Sequence, residues 1–301
     1  MLRRSYAIYD VFTDQPLAGN PLAVVFDGEG LDTEAMQKIA AEFNLAETVF
    51  LLPPLVPRNR AKLRIFTPRH ELPFAGHPTV GAIVALFESG GPATGGMMVL
   101  EENIGPLRCE VVREDEAAFA FFTLPRLADR LDFEASDAQV AAALGIDVAD
   151  IGFDEHRVGL WSGGLPYLTV PLKSAAAVAQ AKLDERAWLA LTGPAEALSG
   201  APYVYCRESV FPDSTFHARM FAPHLGIPED PATGSAVASL AGAIAAQDGA
   251  GDGTHRYWIE QGVEMGRPSR IRLDIDITAG TLVGGRIGGH AVKVAEGILL
   301  V

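Results

Sequence analysis

Short runs of apolar residues, several alternating with polar ones, fill most of the first half of this chain and predict strands. They are Tyr6 to Phe12, Leu22 to Phe26, Thr48 to Leu52 and Lys62 to Phe66. Asp32 to Phe43 breaks the pattern. It carries Met36, Ile39, Ala40 and Phe43 at helical spacing, with Asp32 or Thr33 placed to cap it. Pro78 to Ser89 differs from both kinds of run. It has no charged residue before Glu88, so it predicts a helix buried on every side. Met97 to Glu101, Gly105 to Arg113 and Ala117 to Leu124 predict further strands separated by polar turns. One buried helix among many strands predicts an α+β arrangement, a curved mixed sheet wrapped around a central helix.

The second half repeats the scheme. Strand candidates return at Tyr167, Tyr203 and Phe216 to Phe221, and Asp184 to Leu191 reads as a helix. Ser235 to Gln247, rich in Ala and Gly, predicts a second buried helix. Tyr257 to Gln261, Ser269 to Ile277 and Thr281 to Ile287 predict strands, and Ala291 to Val301 a strand pair or one long strand. Gly284 to Gly289 reads as strand turns; no helix follows it, so it is not a dinucleotide fingerprint. Ala135 to Ala143 and Val148 to Ile151 form a helical insertion without a counterpart.

The repetition is written in the residues as well. Arg64-Ile65-Phe66-Thr67-Pro68 returns as Arg219-Met220-Phe221-Ala222-Pro223. Pro73-Phe74-Ala75-Gly76-His77 returns as Pro231-Ala232-Thr233-Gly234-Ser235, and Gly19-Asn20-Pro21 has the spacing of Gly164-Leu165-Pro166. Matches in the same order at an offset of about 155 residues mark an internal duplication. Two pseudo-symmetric domains follow, 1–125 and 126–301, with the boundary at Pro125 to Asp129. The terminal strand is a candidate to cross back to the first. Two related halves can set equivalent loops face to face across one cleft, the place to look for chemistry.

Composition narrows the partners. Apolar residues make up 49% and charged residues 21%, a globular balance. The net charge is -14, from 38 acidic against 24 basic residues, and no basic stripe appears. Nucleic acid and anionic membrane surfaces are therefore poor partners. No apolar stretch is long enough to cross a bilayer, and no secretory leader is visible. Cys109 and Cys206 sit far apart in apolar segments and read as buried thiols in a reducing compartment. A cytoplasmic protein is expected.

Candidate chemistry gathers at the two loop–helix junctions. Proline favours the first helical position, so Pro78 predicts His77 as the cap of the first buried helix, and the repeat predicts Ser235 as the cap of the second. Gly76 and Gly234 allow close backbone approach just before each start. Two such helix tips facing one cleft would bind a carboxylate or a developing enolate without Lys or Arg. Ordinary capping of core helices is the plainer alternative. Glu47 stands at the mouth of an apolar strand, where desolvation would make it a better general base. Its plainer alternative is a strand-end carboxylate in solvent. Asp230 precedes Pro231, a turn signal, where the first half has Leu72. Glu47 and Asp230 both break the internal symmetry. His70, Glu71 and His77 lack a metal-ligand spacing, and His217, His224, His255 and His290 have no partners at such spacing. No metal site is expected.

Taken together these residues resemble the phenazine-biosynthesis isomerase (PhzF-like) family. The resemblance is carried by Asp10-Val11-Phe12-Thr13 with Gly19-Asn20-Pro21, by Ala46-Glu47-Thr48-Val49-Phe50, and by Phe74-Ala75-Gly76-His77-Pro78-Thr79. It continues through Asp230-Pro231-Ala232-Thr233-Gly234-Ser235-Ala236, then Gln261-Gly262 with Met265-Gly266-Arg267-Pro268-Ser269. It covers essentially the whole chain, in order. It implies a diaminopimelate epimerase-like fold with the active site between the domains. It implies Glu47 as the acid/base residue, with His77, Asp230 and Ser235 lining the substrate site. It further implies no cofactor or metal, a small anionic carboxylate as substrate, and a homodimer. Neither helix-start phrase contains a cysteine, which disfavours two-thiol racemisation. The competing readings are a racemase or epimerase using Asp230 as a second base, and a binding protein without turnover.

Overall fold

The apolar runs of the first half fold as strands around one apolar helix. The computed structural model describes residues 3–90, 95–114, 117–193, 200–223 and 227–301. Contacts divide the chain into two units, Met1–Pro125 with Ile287–Val301, and Arg126–Arg286.

In unit 1, β1 (Arg3–Val11) runs antiparallel to β2 (Asn20–Val25). The chain crosses over through α1 (Thr33–Phe43) to β3 (Glu47–Leu52), which is parallel to β2. Then β4 (Ala61–Phe66) is antiparallel to β3 and to the short β5 (Glu71–Leu72). After α2 (Gly76–Glu88) comes β6 (Gly95–Glu102), parallel to β4. A meander through β7 (Gly105–Glu114) and β8 (Ala117–Thr123) follows. Asp32, not Thr33, caps α1 by accepting from the Ala35 N–H. Every residue of α2 from Gly76 to Phe87 is buried, and the helix packs on β1, β2, β3, β7 and β8. The sheet thus curves around it. Its approach is close. A Cβ at Gly81 would lie 2.4 Å from the Leu22 side chain, so glycine is required there.

Unit 2 opens with β9 (Asp129–Leu131) and α3 (Asp137–Leu144), the latter started by a Ser136–Gln139 capping box. A 3-10 turn at Val148–Asp150 completes the helical insertion. Next come β10 (Gly159–Ser162), β11 (Pro166–Pro171), α4 (Ala175–Gln180), α5 (Glu185–Thr192), β12 (Ala201–Cys206), β13 (Phe216–Ala222) and β14 (Ile227–Asp230). The unit continues through α6 (Gly234–Gln247), β15 (Gly253–Gln261) and β16 (Ser269–Thr278). The pairings reproduce those of unit 1. β10 is antiparallel to β11, β11 parallel to β12, β12 antiparallel to β13. β13 is antiparallel to β14 and parallel to β15, which is antiparallel to β16. α6 is buried from Gly234 to Ile244 and packs on β9, β10, β11 and β16. The short β5, β9, β10 and β14 and the one-turn-scale α4 were not legible as separate elements in the sequence.

One expectation is corrected. Gly284 to Gly289 does not turn; it lies inside β17 (Thr281–Leu300), a single strand that replaces the two runs read separately. The glycines serve packing instead. A Cβ at Gly288 would sit 2.4 Å from the Phe121 ring. From Ile287 onward β17 belongs to unit 1 and pairs antiparallel with β1, from Val11 opposite Ala291 to Arg3 opposite Leu300.

The duplication extends to buried polar anchors. In unit 1, Glu101 on β6 accepts from the Leu55 and Val56 N–H groups and from the Asn59 amide. In unit 2, Glu260 on β15 accepts from the Val210 and Phe211 N–H groups. Glu101 is opposite Lys62, and Glu260 opposite His217, at equivalent positions of the two ladders. Each carboxylate thereby ties a loop's backbone N–H groups to the sheet.

Candidate active site

The start of α2 differs from the sequence expectation in a way that matters. The N-cap is Ala75, in extended conformation, and no side chain caps the helix. His77 is the second helical residue, not the cap, and Pro78 the third. Proline is tolerated there because the first four N–H groups have no intrahelical acceptor. The start of α6 is built alike. Thr233 is the N-cap without a side-chain capping bond, and Ser235 is again the second residue. Its hydroxyl is engaged with Tyr167, Oγ to phenolic oxygen 2.7 Å. Gly76 and Gly234 each open their helix and are buried.

In unit 1 the structure brings Glu47 and His77 together. Glu47 begins β3, opposite Leu22 of β2, and is 8% exposed, which excludes a solvated strand-end carboxylate. His77 is 3% exposed, and its Nε2 lies 3.4 Å from Glu47 Oε2. Its Nδ1 is 3.2 Å from the Asn20 amide nitrogen, which is fully buried. The ring also hydrogen-bonds the Pro21 carbonyl. Burial pushes the His77 pKa down to about 3, so the ring is neutral. The pair is therefore a carboxyl beside a neutral imidazole, not an ion pair.

In unit 2, Asp230 ends β14 and is 5% exposed. The Thr233 hydroxyl donates to its Oδ2 at 2.6 Å. Gln261, fully buried, holds the corner. Its amide donates to the Asp230 carbonyl at 2.6 Å and to Thr233 Oγ1 at 3.0 Å. Its oxygen accepts from the Thr233 N–H and the Tyr203 hydroxyl, both at 3.2 Å. All four valences of the amide are used. Gly262 follows at φ +76°, and a Cβ there would lie 2.6 Å from the Pro231 carbonyl. Glycine thus lets β15 end against the Asp230–Pro231 turn.

Several of these residues escaped the sequence reading as site groups: Asn20, Tyr167, Thr233 and Gln261. The signal for Asn20 was present. It is the polar member of a repeated Gly-x-Pro phrase whose other copy has Leu165. The others are long-range partners joined where strands pack against the start of α6. His217 also proved informative. Burial opposes its charge, but hydrogen bonds to Glu260 and Glu264, both 2.8 Å, prevail and raise its pKa to about 9. His224 lies outside the described residues. Among the described residues, no three His, Cys, Asp or Glu side chains converge as metal ligands, and no helix is long and apolar enough to cross a membrane. Cys109 and Cys206 are free and buried.

A family model described as "phenazine biosynthesis-like protein" matches residues 9–297. The chain belongs to that family. Within it, the chain is 55% identical over 302 residues to a Mesorhizobium japonicum protein named as an uncharacterized isomerase, covering 100% of both chains. It is 33% identical over 292 residues to the trans-2,3-dihydro-3-hydroxyanthranilate isomerase of Pseudomonas aeruginosa, covering 97% of this chain and 98% of that one. The crystal structure of a PhzF-family protein of Bacillus anthracis superposes with a TM-score of 0.90 at 28% identity, covering 100% of both chains. Membership in this family makes the chain an isomerase. The α+β architecture of duplicated, helix-centred sheets is the family's fold.

Proposed function

We propose that this PhzF-family enzyme moves a carbon-bound proton between two positions of a small unsaturated carboxylic acid, with Glu47 taking and returning the proton. The observation that most supports this reading is a buried carboxyl beside an imidazole of low basicity. The Glu47 carboxylate takes a proton from a substrate carbon. The C–H electron pair enters the conjugated system, and the negative charge spreads onto the substrate as an enolate. The protonated Glu47 carboxyl, whose hydrogen exchanges with water between the two transfers, then gives a proton to a different carbon. No electrons are gained or lost overall. His77 cannot drain that proton, because its ring holds none at neutral pH beyond the one it already carries. It stands beside Glu47 as a neutral neighbour, with Nε2 3.4 Å from Oε2.

The N–H groups of Gly76 and His77 at the α2 tip are suited to negative charge developing on the substrate. Asp230, Gly234 and Ser235 are assigned to the same substrate, Asp230 as an assisting acid/base and the other two as carboxylate binders. The reaction as written uses no cofactor or metal, and the active form is taken to be a homodimer.

The test is deuterium incorporation from heavy water. The first compound to try is trans-2,3-dihydro-3-hydroxyanthranilate, the substrate in the name of the Pseudomonas aeruginosa relative. Wild-type enzyme incorporates deuterium at the carbon that receives the proton. Glu47→Gln lowers the rate by about 10²–10⁴-fold, the usual worth of a general acid/base, with substrate binding retained. Exchange at the wild-type rate in that variant would remove Glu47 from the mechanism. A stereoisomeric product in place of a positional isomer would instead make Asp230 a second base.

A further inference from the structure

Glu102, the last residue of β6, has no part in the chemistry above, yet it is 6% exposed and lies behind the tip of α2. Its Oε1 is 2.7 Å from the Thr79 hydroxyl oxygen. The same hydroxyl oxygen is 2.7 Å from the Ala75 carbonyl. A threonine hydroxyl has one hydrogen. The Ala75 carbonyl can only accept, and an ionised carboxylate can only accept. One of the two short contacts would then set two acceptors against each other. Both contacts are satisfied at once only if the carboxyl carries a hydrogen for Thr79, and Thr79 gives its own to Ala75. Glu102 Oε2 is buried without a hydrogen-bond partner, which a neutral carboxyl tolerates far better than a carboxylate.

Unit 2 supplies independent support. The ladder positions β4–β6 and β13–β15 are equivalent: Lys62 faces Glu101 as His217 faces Glu260. The next residues are Glu102 in one unit and Gln261 in the other. Gln261 is permanently neutral and donates to the backbone carbonyl and hydroxyl before α6. A protonated glutamic acid is its nearest electronic equivalent.

We propose that Glu102 is kept as a neutral acid and acts as the positioning residue for the α2 tip. Its hydrogen fixes Thr79, and Thr79 fixes the Ala75 carbonyl. That carbonyl shares a rigid peptide plane with the Gly76 N–H. Glu102 thereby sets the direction of the first amide at the α2 start and the seat of His77. The inference rests on the reading that Gly76 and His77 serve the substrate. Burial pushes the Glu102 pKa up to about 8, consistent with the hydrogen-bond accounting. Charged and titratable groups on the surrounding elements include His77 on α2, Cys109 and Arg108 on β7, Lys62 and Arg64 on β4, Glu71 on β5 and the neighbouring Glu101; Arg108 and Arg58 line the same cavity as Glu102. His77 is neutral, and burial holds the Cys109 thiol far above its ordinary range. Glu71 is paired with Arg64.

Two variants of the full chain, compared with the wild type, decide the matter. Glu102→Leu removes the hydrogen and is expected to slow deuterium exchange by about 10²-fold, the scale of a misplaced catalytic group. Glu102→Gln restores most of that loss. The wild type loses exchange activity as the pH rises through about 8, and Glu102→Gln lacks this alkaline limb. A failed Glu102→Gln rescue, or an alkaline limb unchanged in that variant, overturns the positioning role. A second readout needs no substrate. A neutral-carboxyl infrared band should be present at pH 7, vanish above about 8, and be absent from Glu102→Gln. Its absence from wild type at pH 7 overturns the protonation claim even if no exchange substrate is found. Thermal unfolding gives the same answer by linkage. The folded pKa is raised, so between 4.5 and 8 the folded chain holds a proton that the unfolded chain does not. Wild type should lose stability relative to Glu102→Gln across that window and run parallel to it above. A constant difference across the window overturns the claim as well.

Discussion

Units 1 and 2 share a plan down to the pairing of individual strands, yet the candidate site residues do not repeat. Leu22 of β2 faces Glu47 of β3, and the equivalent pair in unit 2 is Tyr167 facing Ala201. Ile65 faces Leu72 in one unit, and Met220 faces Asp230 in the other. Asn20 has Leu165 at the matching place, and His77 has Ser235. Duplication therefore supplied the framework: a buried helix opening without a side-chain cap, and a glutamate anchoring a long loop. The candidate site residues are substitutions at a few positions of that framework. The acid/base candidates fall on opposite sides of the symmetry, and neither side carries both.

The comparison can be broken most severely at Glu47. Replacing it by Ala, the residue unit 2 uses at the equivalent place, should abolish deuterium exchange to the same about 10²–10⁴-fold extent as the isosteric amide. Circular dichroism and thermal unfolding should show an intact fold. A large stability loss together with residual exchange would mean that Glu47 is structural.

A smaller effect, on stability, is expected from the anchor that differs in charge. In unit 2 the loop glutamate Glu260 is joined by a buried imidazolium, His217, with Glu264 on its other side. His217→Leu leaves Glu260 buried without that charge and should cost about 3–5 kcal/mol in denaturant unfolding. The His217 pKa is raised, from 6.5 to about 9, by carboxylate hydrogen bonds that outweigh burial. The stabilisation is thus full below pH 6.5 and lost as the pH rises through 9. The wild-type stability curve should show that decline and the variant should not. Unit 1 has Asn59 as a neutral donor to its anchor Glu101, so Asn59→Ala should give no such pH dependence.

The smallest effect is expected at Asn20→Leu, which gives unit 1 the residue found at the same place in unit 2. It leaves His77 Nδ1 buried without its amide partner, a cost of about 1–3 kcal/mol. Exchange should slow through a lower kcat with KM nearly unchanged, since the ring's orientation toward Glu47 is what suffers. An unchanged kcat would separate Asn20 from the positioning of His77.

Much of this was legible in the residues because it is local. The all-apolar face of Pro78 to Ser89 announced a buried helix, and repeated phrases announced the duplication. Glu47, His77, Asp230 and Ser235 stood out as candidates for the same reason: each interrupts a repeat or stands beside a glycine. The helix starts were misjudged by two residues, because proline's rule for the first position does not exclude the third. The glycines of β17 were read as turns, because a sequence does not show Phe121 pressing on Gly288. Gln261 and Glu102 were invisible as supports. Their partners lie far along the chain: Thr79 of α2 for Glu102, and Tyr203, Asp230 and Thr233 for Gln261.

The return of β17 to β1 has a consequence for how this chain is made. Residues 287–300 are the antiparallel partners along the full length of β1, and they emerge only after all of unit 2 has been synthesised. The half whose translation begins first is therefore the half that closes last. Until then β1 presents an open edge on that side, a template for unwanted pairing with other nascent chains. Unit 2 has no such wait.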